Sequence, residues 1–210
     1  MTESADSKNA ESIREDVVWQ ASRLSREQRQ LRNGHQGKVV WLTGLPGSGK
    51  STIAQAVEEN LHRAGLQTMV LDGDNLRHGL CADLGFSIDD RNENVRRAGE
   101  VAKLFLLQGA IVLVALVSPM REAREKVRKK FSDGDFLEIY CDCPLSICQQ
   151  RDPKGFYEAA LRGAITNFTG ISSPYESPLD PELILRTGEE SLDHSVINLT
   201  QFLNRQLTRY

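Results

Sequence analysis

Gly44, Gly47, Gly49, Lys50 and Ser51 stand in the run Gly44-Leu45-Pro46-Gly47-Ser48-Gly49-Lys50-Ser51-Thr52. This is the G-x-x-x-x-G-K-[ST] spacing of a phosphate-binding loop. A polyphosphate is held there by backbone N–H groups, which must turn inward on a path that glycine permits and a Cβ would obstruct. Lys50 reaches the β- and γ-phosphates, and the Ser51 hydroxyl ligates Mg²⁺. Such a loop needs a buried strand before it, for which Lys38–Thr43 is suited. It also needs a helix after it, from about Ser51 to Ala64, whose dipole adds positive potential at the anion.

A second set of chemical groups follows the next apolar stretch, Thr68–Leu71. Asp72 and Asp74 stand near Arg77, Arg91, Asn94, Arg96 and Arg97. Phosphoryl transfer asks mainly for positioning and for cations that offset charge, with a carboxylate to hold the Mg²⁺ shell or accept a hydroxyl proton. Asp74, further out from the strand, is assigned to the acceptor side. Asp72 serves equally well as a capping residue, and Arg96 and Arg97 read more simply as a solvated helix face. No Asn-Lys-x-Asp segment is present to read guanine. The apolar run Ala110–Val117 ends in Ser118 without a Walker B carboxylate, so a small-molecule kinase is favoured over a switch or a motor.

The elements that must position these groups alternate between strand and helix. Helices are expected over about Asp90–Gln108, Arg121–Phe131, from Pro144 and over Leu192–Leu207. Further apolar runs lie at Ala110–Val117 and Phe136–Tyr140. Strands apolar along their whole length indicate a parallel sheet covered on both faces, with ligands at the carboxyl ends of its strands. The expected fold is therefore α/β of the P-loop nucleoside triphosphate hydrolase type, a three-layer sandwich with a parallel sheet and a lid loop. The lid is the glycine-, proline- and base-containing stretch 151–181. Residues 1–15 are polar and expected to be disordered, and 16–210 to form one domain. Ser25-Arg26-Glu27-Gln28 is a capping box opening a short helix, in an arm anchored by Trp19.

Composition excludes several classes. The 210 residues carry a formal net charge of −3 and no sustained basic run, so no nucleic-acid partner is expected. The longest apolar run is far short of the ~20 residues a membrane span requires. No signal-peptide core stands at the start, and a cytoplasmic location is expected. Cys81, Cys141, Cys143 and Cys148 have no metal-site spacing and read as buried free thiols.

The phosphate loop together with Leu71-Asp72-Gly73-Asp74-Asn75-Leu76-Arg77-His78-Gly79-Leu80, Asp90-Arg91-Asn92-Glu93-Asn94-Val95-Arg96-Arg97, Val117-Ser118-Pro119, Arg151-Asp152-Pro153-Lys154-Gly155 and Asn167-Phe168-Thr169-Gly170-Ile171 resembles the adenylylsulfate kinase family. The resemblance runs from about Val17 to the final helix. It implies transfer of the ATP γ-phosphate to the 3′-hydroxyl of adenosine 5′-phosphosulfate. Gly44 to Thr52 would hold ATP and Mg²⁺, and Lys50, Asp74 and Ser118 would be catalytic. Asp74, Arg77, Phe86, Arg91, Asn94, Val117, Ser118, Lys154 and Phe168 would line the adenylylsulfate pocket. A homodimer and a separate ATP sulfurylase upstream are implied as well. The chemistry agrees, since a phosphosulfate suits arginine forks and an adenine an aromatic wall. Ser118, described in the family as a phosphoserine, has no neighbouring base in sequence and reads better as a substrate-site residue than as an obligatory nucleophile. Two rival readings remain: a kinase for another small acceptor, and a catalytically lapsed nucleotide-binding partner of a sulfurylase.

Pro46 falls at a permissive position of the loop. The lid departs from the family more seriously. It reads Lys154-Gly155-Phe156-Tyr157-Glu158-Ala159-Ala160-Leu161-Arg162-Gly163-Ala164-Ile165, with Leu161 at the usual arginine position and Arg162 one place later. Either Arg162 substitutes from a shifted loop or closure over ATP is weaker. A raised KM for one or both nucleotides is expected in steady-state kinetics, and values matching those of an ordinary family member would refute it.

Overall fold

The computed structural model describes residue 18, residues 20–208 and residue 210; the expected disordered segment and Trp19 lie outside the described residues. The elements in chain order are α1 (Arg26–Asn33), β1 (Lys38–Thr43), α2 (Lys50–Arg63), β2 (Thr68–Asp72), α3 (Gly73–Arg77), α4 (Ile88–Leu107), β3 (Ile111–Ala115), α5 (Arg121–Arg128), β4 (Phe136–Cys141), α6 (Leu145–Arg151), α7 (Phe156–Leu161), β5 (Leu183–Leu185) and α8 (Leu192–Gln206).

The strands form one parallel sheet in the order β2-β3-β1-β4-β5. β1 is flanked on both sides, with Trp41 opposite Val114 on β3 and Glu138 on β4. It therefore has no exposed edge, and its two faces alternate between two apolar layers. Val40 and Leu42 pack with Ile53, Val57 and Leu61 of α2 and Val196, Leu199 and Leu203 of α8. Val39 and Trp41 pack with Val95, Ala98 and Ala102 of α4 and Ala123 and Val127 of α5. All the strand carboxyl ends consequently open on one rim of the sheet.

Local signals set the boundaries. The Ser25 hydroxyl accepts from the Gln28 N–H at 3.2 Å while the Gln28 side chain accepts from the Ser25 N–H at 2.9 Å, and Gly34 ends α1 in the left-handed region. Arg26 then fastens the helix to the domain, its guanidinium paired with Asp135 and donating to Gly37 O at 3.1 Å. Ser87 caps α4, which starts at Ile88, two residues before the start expected from sequence. Three short elements differ from expectation, the first being α3 directly after β2. The lid contains the helix α7, and Leu183–Leu185 adds β5 at the edge beside β4. Both are short enough that burial by neighbours, rather than local periodicity, decides their conformation.

β3 packs between β1 and β2 with every residue buried. Leu113→Ala should lower unfolding free energy by about 2–5 kcal/mol, through lost transfer energy and an unfilled cavity. Urea denaturation with an unchanged m-value would show it.

Candidate active site

β1 ends at Thr43, and the chain leaves the sheet at Gly44. A Cβ on Gly44 would stand 2.6 Å from Cys141 O and 2.7 Å from Ser48 Oγ, so no side chain fits there. Gly49, with φ 91°, is the N-cap of α2 and offers no side-chain cap. The first N–H groups of α2 thus remain available to an anion. Lys50 is buried, and its ammonium donates to Gly44 O at 3.0 Å, Leu45 O at 2.7 Å and Ser48 Oγ at 3.3 Å. Burial lowers its pKa, with Asp72 and Asp74 among the groups that oppose the shift. The loop therefore carries a desolvated cation that gains from an arriving polyphosphate.

At the end of β2, Asp72 caps α3, its Oδ1 accepting from the Asp74 N–H at 2.9 Å. It is nevertheless a buried carboxylate on the wall of the cleft. Asp74 stands further out, as its place in sequence suggested, and pairs with Lys154 from the lid.

Beyond it, Phe86 is gripped by two arginines. The Arg77 guanidinium lies 4.3 Å from the ring centroid and that of Arg91 5.4 Å. Arg77 donates to Leu84 O at 3.1 Å and Gly85 O at 2.9 Å. Arg91 donates to Phe86 O at 3.1 Å and Asn167 O at 2.7 Å. Burial, with Arg77 nearby, lowers the Arg91 pKa to about 10, which leaves it charged at neutral pH. The Phe86 ring itself is half exposed, which leaves aromatic surface for a planar ligand. Asn94 is buried with Nδ2 lacking a hydrogen-bond partner, a donor available to a ligand.

Ser118 follows β3 with φ 39°. Its hydroxyl is buried, accepts from Trp41 Nε1 at 3.1 Å, and lies 3.1 Å from Thr43 Oγ1 and 3.3 Å from Leu116 O. None of these neighbours is a base that would activate it as a nucleophile.

The lid returns over the phosphate loop. Tyr157 donates to Pro46 O at 2.9 Å and meets Phe168 edge to face at 4.9 Å. Asp152 accepts from the Tyr157 and Glu158 N–H groups at 3.1 and 3.0 Å and so sets the start of α7. Leu161 and Arg162 lie outside the cleft lining; Arg162 is exposed and pairs with Glu158 at 3.1 Å, so it does not stand in for a lid arginine over the site. Arg151, which donates to Thr187 O at 2.6 Å, is the arginine that does face the cleft from this segment.

One cleft of about 1010 Å³ joins these groups. It is lined by Asp74, Arg77, Phe86, Arg91, Asn94, Val117, Ser118, Lys154 and Phe168, and by Pro46, Gly47, Gly49, Lys50, Ser51 and Thr52 from the loop. Gly44, Leu45 and Ser48 lie behind the lining and support the loop's path. Arg96 and Arg97 do not enter the cleft: they pair with Glu93, and Arg97 also with Asp83, as a surface network. The cysteines are buried free thiols, and burial pushes Cys141 up to about 12. Sequence reasoning missed Tyr157, one of several aromatics in the lid, and Thr187 and Glu190 in the turn between β5 and α8.

The family described as adenylylsulphate kinase matches residues 36–186. Over 191 residues the chain is 53% identical to an adenylyl-sulfate kinase of Acaryochloris marina, covering 91% of this chain and 93% of that one. Over 192 residues it is 52% identical to one of Bacillus velezensis, covering 91% and 98%. The Mycobacterium tuberculosis APS kinase CysC, solved in complex with AMPPNP and APS, superposes with a TM-score of 0.77 at 50% identity, covering 80% of this chain and 98% of that one. A Sinorhizobium meliloti gluconokinase shares the fold at 19% identity and a TM-score of 0.51.

Ser118→Ala separates a nucleophile from a structural hydroxyl. Loss of the acceptor for the buried Trp41 N–H should cost about 1–3 kcal/mol of stability in chemical denaturation. The phosphoryl-transfer rate should stay within about threefold of wild type. A fall of several hundredfold would overturn the structural reading of the hydroxyl.

Proposed function

The chain belongs to the adenylylsulphate kinase family, and from this we infer that it transfers the γ-phosphate of ATP to the 3′-hydroxyl of adenosine 5′-phosphosulfate, giving 3′-phosphoadenylyl sulfate and ADP. The observation that carries the reading is the single cleft running from the phosphate loop to the Phe86 clamp, with Asp74 and Ser118 between.

ATP occupies the loop half. Its phosphates take the N–H groups at the start of α2, and Lys50 exchanges the carbonyls of Gly44 and Leu45 for phosphate oxygens. The acceptor takes the other half, its adenine against Phe86 and Phe168. Arg77, Arg91 and Lys154 offset the charge of its phosphosulfate, and Asn94 uses its unpaired amide on the ligand. Asp74 accepts the proton that leaves the 3′-hydroxyl as the phosphorus–oxygen bond forms, while the bond to ADP breaks. Catalysis is then positioning and charge offset, with no covalent enzyme intermediate. The Ser51 hydroxyl and the Asp72 carboxylate, both on the cleft wall, are the oxygen donors suited to Mg²⁺. That ion, when bound, neutralises charge on the phosphates.

The Tyr157–Pro46 bond and the Lys154–Asp74 pair support lid closure without Arg162. A cytoplasmic location, a homodimer and supply of adenylylsulfate by a separate ATP sulfurylase belong to the same proposal. Among the described residues no helix is long and apolar enough to cross a membrane.

Release of ADP in a coupled assay with MgATP tests the reading. Turnover with adenylylsulfate and none with AMP is expected. Turnover with AMP would point to a nucleotide kinase, and ATP binding without turnover of either would point to a lapsed enzyme.

A further inference from the structure

Arg124 of α5 is a buried cation, 3% exposed, that no step of the reaction uses. Its guanidinium is a three-way junction. Nε donates to Glu138 Oε1 on β4 at 2.6 Å, Nη1 to the carbonyl of Ser118 at 2.6 Å, and Nη2 to the carbonyl of Glu176 at 2.8 Å. One planar group thus links the sheet, the turn after β3 and the distal part of the lid stretch.

The two backbone segments it joins touch each other as well. The Glu176 N–H donates to Pro119 O at 2.9 Å, and Glu176 Oε2 accepts from the Arg121 N–H at 2.8 Å. Arg121 Nε donates to Ser177 O at 2.6 Å. Tyr175, stacked on Tyr140 at 6.3 Å, places its hydroxyl 3.1 Å from Thr43 Oγ1, and Thr43 in turn donates to Val117 O at 2.8 Å. Val117, Ser118 and Pro119 line the cleft beside Asn94 and Arg91. Ser118 holds a left-handed backbone angle that a residue with a Cβ adopts only when its surroundings impose it. The carbonyl that Arg124 grips is that residue's own.

We propose that Arg124 is a positioning residue for the acceptor: it seats residues 175–177 against residues 117–119 and thereby fixes the acceptor wall of the cleft. The proposal rests on the adenylylsulfate kinase reading for which half of the cleft takes the acceptor; the linkage itself does not. Because residues 175–177 are the distal part of the lid stretch, the wall keeps its shape only while that part is docked. None of the three acceptors of Arg124 lies in the phosphate loop, which follows Thr43.

Arg124→Lys keeps the charge beside Glu138 but cannot bridge the three acceptors. Hydrogen exchange should rise together at residues 117–121 and 174–177 and stay unchanged at 44–52. In steady-state assays the KM for adenylylsulfate should rise by about tenfold while that for ATP holds within about twofold, the size expected for loss of a charged hydrogen bond acting on one substrate. Tyr175→Phe, which removes only the bond to Thr43, keeps the test open should the lysine variant fold poorly, and should shift the same constant in the same direction. Exchange rising in one segment alone, or both KM values moving by the same factor, would overturn the proposal. Wild-type protein inert toward adenylylsulfate would sink the functional reading instead, and the exchange pattern would still decide the linkage.

Discussion

The absence of room at Gly44 is the constraint on which the rest depends. The central strand β1 is hydrogen-bonded on both sides and packed on both faces, so the chain can leave it in few directions. At Gly44 it passes so close to the Cys141 carbonyl and the Ser48 hydroxyl that a Cβ would overlap both. That path delivers the loop to the N-terminus of α2, where unpaired N–H groups and the helix dipole make an anion site from backbone alone. The buried layers of α2 and α8 on one face and α4 and α5 on the other hold this geometry rigid.

Rigidity allows the cleft to keep cations where they are costly without substrate. Lys50 is buried against carbonyl oxygens, and Arg91 is desolvated close to Arg77, so that its pKa falls to about 10. Each is less stable there than in water, and each becomes more favourable when a phosphate or phosphosulfate arrives. The pairing of Arg77 and Arg91 about the half-exposed Phe86 ring serves the same end, since backbone carbonyls and an aromatic face hold two like charges at one site. Substrate charge is left to complete the balance that Asp72 and Asp74 only begin.

In the proposed reading, the acceptor half is assembled differently from the donor half. The donor loop is one contiguous run; the acceptor wall draws on α3, α4, the turn after β3 and the lid, and is held by contacts between residues far apart in sequence. Glu138, a charge within an otherwise apolar strand, makes sense only in this light: it receives Arg124 from α5 at 2.6 Å and Arg128 at 3.3 Å. A buried pair of this kind adds little net stability, and its value lies in fixing orientation.

The sequence by itself determined the parallel α/β fold and the phosphate loop with its lysine. Each of these is written in local spacing or in the continuous apolar character of β1 and β3. Asp72 as a cap, the paired surface role of Arg96 and Arg97, and the buried thiols were legible for the same reason, because neighbours in sequence or simple burial decide them. Tertiary structure alone decided that Tyr157 binds Pro46, that Lys154 meets Asp74, and that Arg124 joins three segments. Those contacts span long loops, and a side chain's partner across such a loop depends on where packing places both backbones, which no local pattern encodes.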